Sequence, residues 1–372
     1  MSQFDVIVVG GGVIGLSAAW RMAQRDLRVV VLERGEPGAE TSAVAAGMIA
    51  PIAEADPAEG PLLRLGIASA RAYPEFVAEL QEVTGADAGY LRCGTLMVAR
   101  DRDEADALEH ELRVRQRFAL DVEYLRPSQA RALEPALAPT LRAALQFAED
   151  HVVDPRRLCA ALAEAVRRSG GELRSHAEVA AVEIEDGVLL RDGARLSAPR
   201  IVLAAGVWSG SIAGIPAEAR VPIRPVKGQI LRLHDPAGPG LLTRVLRMPT
   251  AYVVPRGDGR YVLGATVEER GFDTTVTAGA VFELLRDASE LLPGLSELVV
   301  DELSVGLRPG TADNAPVIGP GAVDGLFWAT GHYRHGILLA PVTAELIASA
   351  VVDGSPVPEE FSAARFAGVL SR

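Results

Sequence analysis

The segment GHYRHGILLAP, Gly331 to Pro341, sets His332, Tyr333, Arg334 and His335 side by side and then runs into apolar residues. Histidine titrates near neutrality, and arginine is a permanent planar cation that grips carboxylates and phosphates. The cluster therefore offers proton transfer or anion binding next to a buried element. A second candidate is Arg308 in GLRPGT: Pro309 biases it to an extended backbone and holds its side chain clear of any helix. That cation suits a carboxylate ligand or an ion pair inside a turn. The third is Gly10-Gly11-Gly12-Val13-Ile14-Gly15, whose first, third and sixth positions spell G-x-G-x-x-G, a loop for binding phosphate.

That loop gains meaning from what surrounds it. FDVIVVG reads as a fully buried parallel strand, VIGLSAAWRMAQR as a helix of small residues packed on it, and LRVVVLE as a second strand, which together make a βαβ unit. Gly10 permits the tight turn, Gly12 lets a pyrophosphate approach the backbone, and Gly15 lets the helix lie close to the strand. Glu33 ends the second strand 18 residues after Gly15, where a carboxylate accepts ribose hydroxyls and disfavours the extra phosphate of NADP. FAD and NAD share this fingerprint. The small-residue loop TSAVAAGM and the buried strand IVLAAG ending at Gly206 suit close backbone contact with an extended FAD.

The chain has 372 residues, more than one core usually supports, so two domains are expected. α/β texture at both ends encloses an antiparallel region, in which GQILRLH, AYVVPR and RYVLGATV read as strands and TAGAVFELLRDASELL as a helix. The expected fold is a Rossmann-type FAD-binding domain from residues 1–86, 146–218 and 303–372, with a substrate domain from 87–145 and 219–302 inserted as an antiparallel sheet. AEADPAEGP reads as a surface loop, and the charges of EADALEHELRVRQRF as a solvated helix face. The formal net charge of −12 argues against nucleic acid. Cys93 and Cys159 stand far apart, so neither a metal site nor a disulfide is suggested, and a cytoplasmic location is expected. The apolar run Val6 to Trp20 is shorter than the roughly 18 residues a membrane span needs, and glycines interrupt it.

VGGGVIGLSAAWRMA, TSAVAAGMIAP, VLAAGVWSG, PVKGQ, AYVVPR, GATVEE, GLRPGTADNAPVIG and GHYRHGILLAP stand in one order along nearly the whole chain. Together they resemble the FAD-dependent glycine oxidases of thiamine biosynthesis, within the wider D-amino acid oxidase and sarcosine oxidase group. The resemblance implies that Arg308 binds the substrate carboxylate, that the Tyr252 hydroxyl assists it, and that Arg334 and Met48 lie beside the pocket. It assigns FAD to Gly10, Gly12, Val13, Ile14, Gly15, Glu33, Arg34, Thr41, Ser42, Ala46, Gly47, Met48, Val179 and Gly206, and to His332 through Leu338, namely His332, Tyr333, Arg334, His335, Gly336, Ile337 and Leu338. His332 and His335 read as polar shell rather than acid or base. The last helix would aim its N-terminus at the flavin ring, where its partial positive charge stabilises the anionic reduced form.

The implied reaction is hydride transfer from glycine to the flavin with no protein acid or base acting on carbon. Oxygen is the implied acceptor, the products are the imine or glyoxylate with ammonia and hydrogen peroxide, and the imine would supply the thiazole of thiamine. Two departures bear on this. Val267 in GATVEE replaces a methionine of the family, which leaves a roomier pocket open to sarcosine or small D-amino acids. Related sarcosine oxidases attach their flavin to a cysteine near the segment matching Gly306 to Asp313, and none lies there, so noncovalent FAD is expected. The resemblance also implies a homotetramer. A D-amino acid or secondary-amine oxidase or dehydrogenase of the same fold, and a flavin-binding protein without turnover, remain open at this stage.

Overall fold

The computed structural model describes residues 3–54, 56 and 59–366. Val6–Val9 and Val29–Leu32 are buried along their whole length, and all-apolar β-branched runs of this kind belong inside a parallel sheet covered on both faces. They are the fourth and fifth strands of a six-stranded sheet in the order Val317–Pro320, Leu326–Thr330, Ile201–Leu203, Val6–Val9, Val29–Leu32, Glu172–Arg174. Every pairing in it is parallel except the outermost, between Val317–Pro320 and Leu326–Thr330. One face carries the helices Val13–Ala23, Gly60–Thr84, Pro155–Arg168 and Gly336–Asp353, which share a core with Val6, Val8, Val29 and Val31. The alternate residues Ile7, Val9, Val30 and Leu32 pack on the other face against a small sheet of Val179–Glu183, Gly187–Leu190 and Arg195–Leu196.

The second sheet has eight strands in the order Val299–Gly310, Arg224–His234, Arg260–Gly264, Tyr252–Pro255, Val245–Arg247, Thr95–Ala99, Ala143–Phe147, Glu123–Leu125. Leu231, Leu233, Leu246, Val253 and Leu263 face the helix Ala278–Leu291 through Leu284, Ala288 and Leu291. Their neighbours Ile230, Val245, Val254 and Val262 face the other way, onto Ala46 and Val152. Side chains alternate across a strand, so one face of this sheet closes its own core while the other meets the nucleotide-binding sheet's loops.

Sheet membership moves two of the expected domain boundaries. The strand Val299–Gly310 pairs along its length with Arg224–His234, so residues 303–310 belong to the second sheet rather than to the FAD-binding part. Likewise Ala143–Phe147 pairs with Thr95–Ala99 and carries Gln146 and Phe147 into that sheet. Long-range pairing decides both, and no local signal marks where a strand changes partners.

Two readings of surface residues are also corrected. Glu54, expected in a surface loop, has a side chain only 7% exposed. Arg115, expected on a solvated helix face, is 2% exposed and donates to the carbonyls of Ile52 and Ala53. The run Val6 to Trp20 divides into a strand and a helix. Gly336–Asp353 is long and apolar enough by composition to cross a membrane, but most of it is buried against the other helices.

Candidate functional site

The first helix begins immediately after Gly12, so its leading N–H groups face the loop that precedes it. Two glycines there are dictated by contact. A Cβ on Gly10, whose φ is +105°, would stand 2.6 Å from the Ala204 carbonyl oxygen, and one on Gly15 would stand 2.0 Å from the Gly10 oxygen. Glu33 accepts from Gly11 N–H at 2.7 Å through one oxygen and from Gly35 N–H at 2.9 Å through the other. Each oxygen keeps a lone pair for a further donor, so the carboxylate is oriented yet still able to receive hydroxyl groups. Ser42 Oγ accepts from Val13 N–H at 3.0 Å and ties the small-residue loop to the helix start.

A cavity of about 1180 Å³ runs from this loop to the second sheet. That exceeds the roughly 300–1,000 Å³ of an ordinary small-molecule site, which leaves room for a dinucleotide and a small substrate together. Gly10, Gly12, Val13, Ile14, Glu33 and Arg34 line one end, with Val179 and Gly206 nearby. Thr41, Ser42, Ala46, Gly47 and Met48 form the middle wall, and His332, Tyr333, Arg334, Gly336 and Ile337 stand opposite the second sheet. The glycine cradle, the oriented carboxylate, the helix N-terminus and the elongated volume fit FAD. Neither cysteine lines the cavity, and burial pushes the Cys93 and Cys159 thiols up to about 11 and about 12.

Three members of the expected set lie elsewhere. Gly15 is beneath the loop as a packing glycine. His335 and Leu338 turn to the opposite side of the last helix, toward Leu62 and Gly66 of the helix Gly60–Thr84. The turn of the helix is responsible: Gly336 and Ile337 point into the cavity, so the residues a step to either side point away.

At the far end, Arg308 and Tyr252 come together over a floor without side chains. Arg308 Nη1 donates to the Thr266 carbonyl at 3.0 Å and lies 3.4 Å from the Lys227 carbonyl. No carboxylate among the described residues pairs with it. Its guanidinium lies across Gly228, where a Cβ would meet both terminal nitrogens at 2.5 Å. The Tyr252 ring lies across Gly264 in the same manner, with its hydroxyl 2.6 Å from where a Cβ would be. Burial raises the Tyr252 hydroxyl above its ordinary value, against the attraction of Arg308, so it is a neutral donor.

Backbone contacts hold these segments in register. Thr41 Oγ1 donates to the Leu307 carbonyl at 2.9 Å, and Tyr333 N–H donates to the Pro309 carbonyl at 2.9 Å. Both bonds converge on the residues flanking Arg308. Arg334 donates to Glu54 at 3.2 Å, and Glu54 raises the Arg334 pKa further against its burial. Burial pushes Glu54 up, but Arg247, Arg334 and His335 more than offset it and hold the carboxylate ionised. His332 donates to or accepts from Thr343 Oγ1 at 2.9 Å, and burial drives its pKa down to about 3, so it is a neutral structural imidazole.

Sequence reasoning passed over Arg247, Glu54 and Asp150. Arg247 Nη1 donates to the Ala53 carbonyl, and the Asp150 carboxylate accepts from Ala53 N–H at 2.6 Å. Each is a polar residue in an unremarkable local context: strand pairing puts Arg247 on the cavity, the turn after Met48–Ile49 brings Glu54 to it, and Asp150, just before His151–Val152, braces that turn from behind.

The pattern of the family described as FAD dependent oxidoreductase matches residues 5–350. The chain is 36% identical over 372 residues to the bifunctional protein ThiO/ThiG of Synechocystis sp., covering 97% of this chain and 54% of that one, so it spans about half that relative's length. It is 34% identical over 365 residues to a glycine oxidase of Bacillus licheniformis, covering 96% and 95%. The crystal structure of glycine oxidase from Geobacillus kaustophilus superposes with a TM-score of 0.91 at 32% identity, over 98% of this chain and 99% of that one.

Proposed function

We propose that this chain, which belongs to the FAD dependent oxidoreductase family, is a glycine oxidase. The observation that carries the reading is the Arg308 guanidinium: it has no carboxylate partner among the described residues and stands beside the Tyr252 hydroxyl at the end of the dinucleotide cavity. An amino acid carboxylate completes that fork with two parallel charge-assisted hydrogen bonds.

FAD, which the glycine loop from Gly10 to Gly15, Glu33 and the wall from Thr41 to Met48 would hold, would supply the two-electron acceptor for oxidation at the substrate's Cα, with oxygen as the final acceptor and hydrogen peroxide as the by-product. The chain's own contribution is positional. Arg308 and Tyr252 fix the carboxylate, and the Gly228 and Gly264 floor sets the height at which it lies. The neutral amine then supplies the electron pair, and no side chain need remove a proton from carbon. His332, neutral and bonded to Thr343, supports the wall and transfers nothing. The product imine hydrolyses to glyoxylate and ammonia or supplies the thiazole of thiamine, a role that similarity to the bifunctional relative supports. Noncovalent attachment follows from the positions of the two cysteines. A cytoplasmic homotetramer belongs to the same reading, and gel filtration of the flavin-loaded protein tests the assembly.

The direct test is the visible spectrum of the purified protein during anaerobic addition of glycine. Bleaching of the flavin band, with peroxide formed when air returns, supports the reading. A band that glycine leaves unchanged removes it.

A further inference from the structure

Around the Tyr252 hydroxyl the described side chains supply three guanidinium groups and one carboxylate. Arg308 is on one side. On the other, Glu54 Oε1 accepts from Arg334 at 3.2 Å and lies 3.9 Å from Arg247 Nη2, so two cations share a single oxygen. Among the described residues, Arg247 is otherwise answered only by the Ala53 carbonyl. Strand register shows that Arg247 faces the cavity. It pairs with Tyr252, Tyr252 with Gly264, Gly264 with Ile230 and Ile230 with Ser304, and Arg308 lies four residues beyond Ser304 on the same face.

Of the other acids near this end, Glu283 stands exposed on the helix Ala278–Leu291, and three more are already engaged. Glu268 accepts from Gln229 and Thr266 and lies 3.8 Å from the Lys227 ammonium. Asp287 is held by Thr250 and Arg286, and Asp150 by the N–H groups of Ile52 and Ala53. When Arg308 receives a monocarboxylate, Arg247 and Arg334 still have one anion between them. A cation largely withdrawn from water is costly unless an anion meets it. Val267, on the cavity wall, is 60% exposed, so it leaves this end open to a substrate longer than glycine.

We propose that Arg247, with Arg334, forms a second carboxylate subsite, and that the preferred substrates are amino acids carrying two carboxylates. The proposal rests on the reading of Arg308 as the first carboxylate anchor. The second group is borne on the nitrogen, as in N-carboxymethylglycine, or on Cα, as in D-aspartate. The oxidation itself is unchanged: two electrons and a proton leave the Cα–H bond as hydride, the amine becomes an imine, and oxygen is reduced to peroxide.

Peroxide formation by the flavin-loaded enzyme is measured with glycine, sarcosine, N-carboxymethylglycine, D-alanine and D-aspartate. At least one dicarboxylate should exceed its monocarboxylate counterpart, sarcosine or D-alanine, by tenfold or more in kcat/KM, and the winning pair identifies which atom bears the second group. Arg247→Gln should remove at least tenfold of that advantage through KM, Arg247→Lys should restore part of it, and Glu54→Gln, which deletes the competing anion, should enlarge it. As a measurement that needs no variant, malonate should compete with glycine at least tenfold more tightly than acetate. Glycine turnover without any dicarboxylate preference, or a preference that Arg247→Gln leaves intact, overturns the subsite and keeps the oxidase. Failure of all five amino acids to reduce the flavin overturns the oxidase reading and the subsite with it.

Discussion

On the proposed reading, substrate capture turns on Arg308. A hydrogen bond to a charged group contributes about 1.5–3 kcal/mol, so Arg308→Ala should lower kcat/KM for glycine roughly 10- to 150-fold or more, mostly through KM, with the flavin spectrum retained. Arg308→Lys should recover only part, because a point cation lacks the fork. An unchanged KM in the alanine variant would remove the carboxylate assignment. Asp150 makes a different prediction. Burial raises its carboxyl to about 7, with the Ala53 and Ile52 N–H groups opposing and Glu54 adding to the shift. The folded state therefore holds a proton that the unfolded chain releases near pH 4, and the stability tied to that proton falls as pH rises from about 4 to about 7. Asp150→Asn cannot titrate. The melting temperature of the native protein minus that of this variant should decline between pH 5 and pH 7.5, and a constant difference would show that Asp150 does not carry the effect.

At the scale of elements, the substrate end is built on two strand glycines, one in a strand interior and one at a strand end. Gly228 in Arg224–His234 and Gly264 in Arg260–Gly264 leave a bare patch of backbone on which the Arg308 guanidinium and the Tyr252 ring lie. Glycine in a strand interior marks such close approaches. Gly228→Ala should displace the guanidinium and reduce kcat/KM for glycine at least tenfold, while FAD affinity and the far-UV circular dichroism stay as they were. Full activity in that variant would show that the guanidinium has another resting place. The stagger of Val299–Gly310 along Arg224–His234 has the same importance, since it pairs Gly306 with Gly228 and so lets Arg308, two residues further on, reach diagonally over Gly228.

For the whole molecule, the cavity is walled by loops of the nucleotide-binding sheet and by one face of the eight-stranded sheet, so a ligand filling it touches both. A ligand bound only by the folded state adds about 2.7 kcal/mol of stability at a hundredfold excess over its Kd. Adding FAD to flavin-free protein should therefore raise the melting temperature of both units and merge their unfolding into one transition. Two transitions of which FAD shifts only one would place the cofactor against a single unit. The nucleotide-binding end was legible in the residues themselves, because glycine spacing, a buried apolar strand and an acid at the next strand's end are local features bound by local geometry. The family motifs likewise carried Tyr252, Arg308 and Arg334 in order along the chain. Tertiary structure alone decided that His335 and Leu338 turn away from the cavity, that residues 303–310 join the second sheet, and that Glu54 and Arg247 are drawn from unremarkable segments into the wall beside Tyr252. Those outcomes depend on which distant strands pair and which side of a helix meets a neighbour, and contacts between residues hundreds of positions apart leave no periodicity for a single sequence to display.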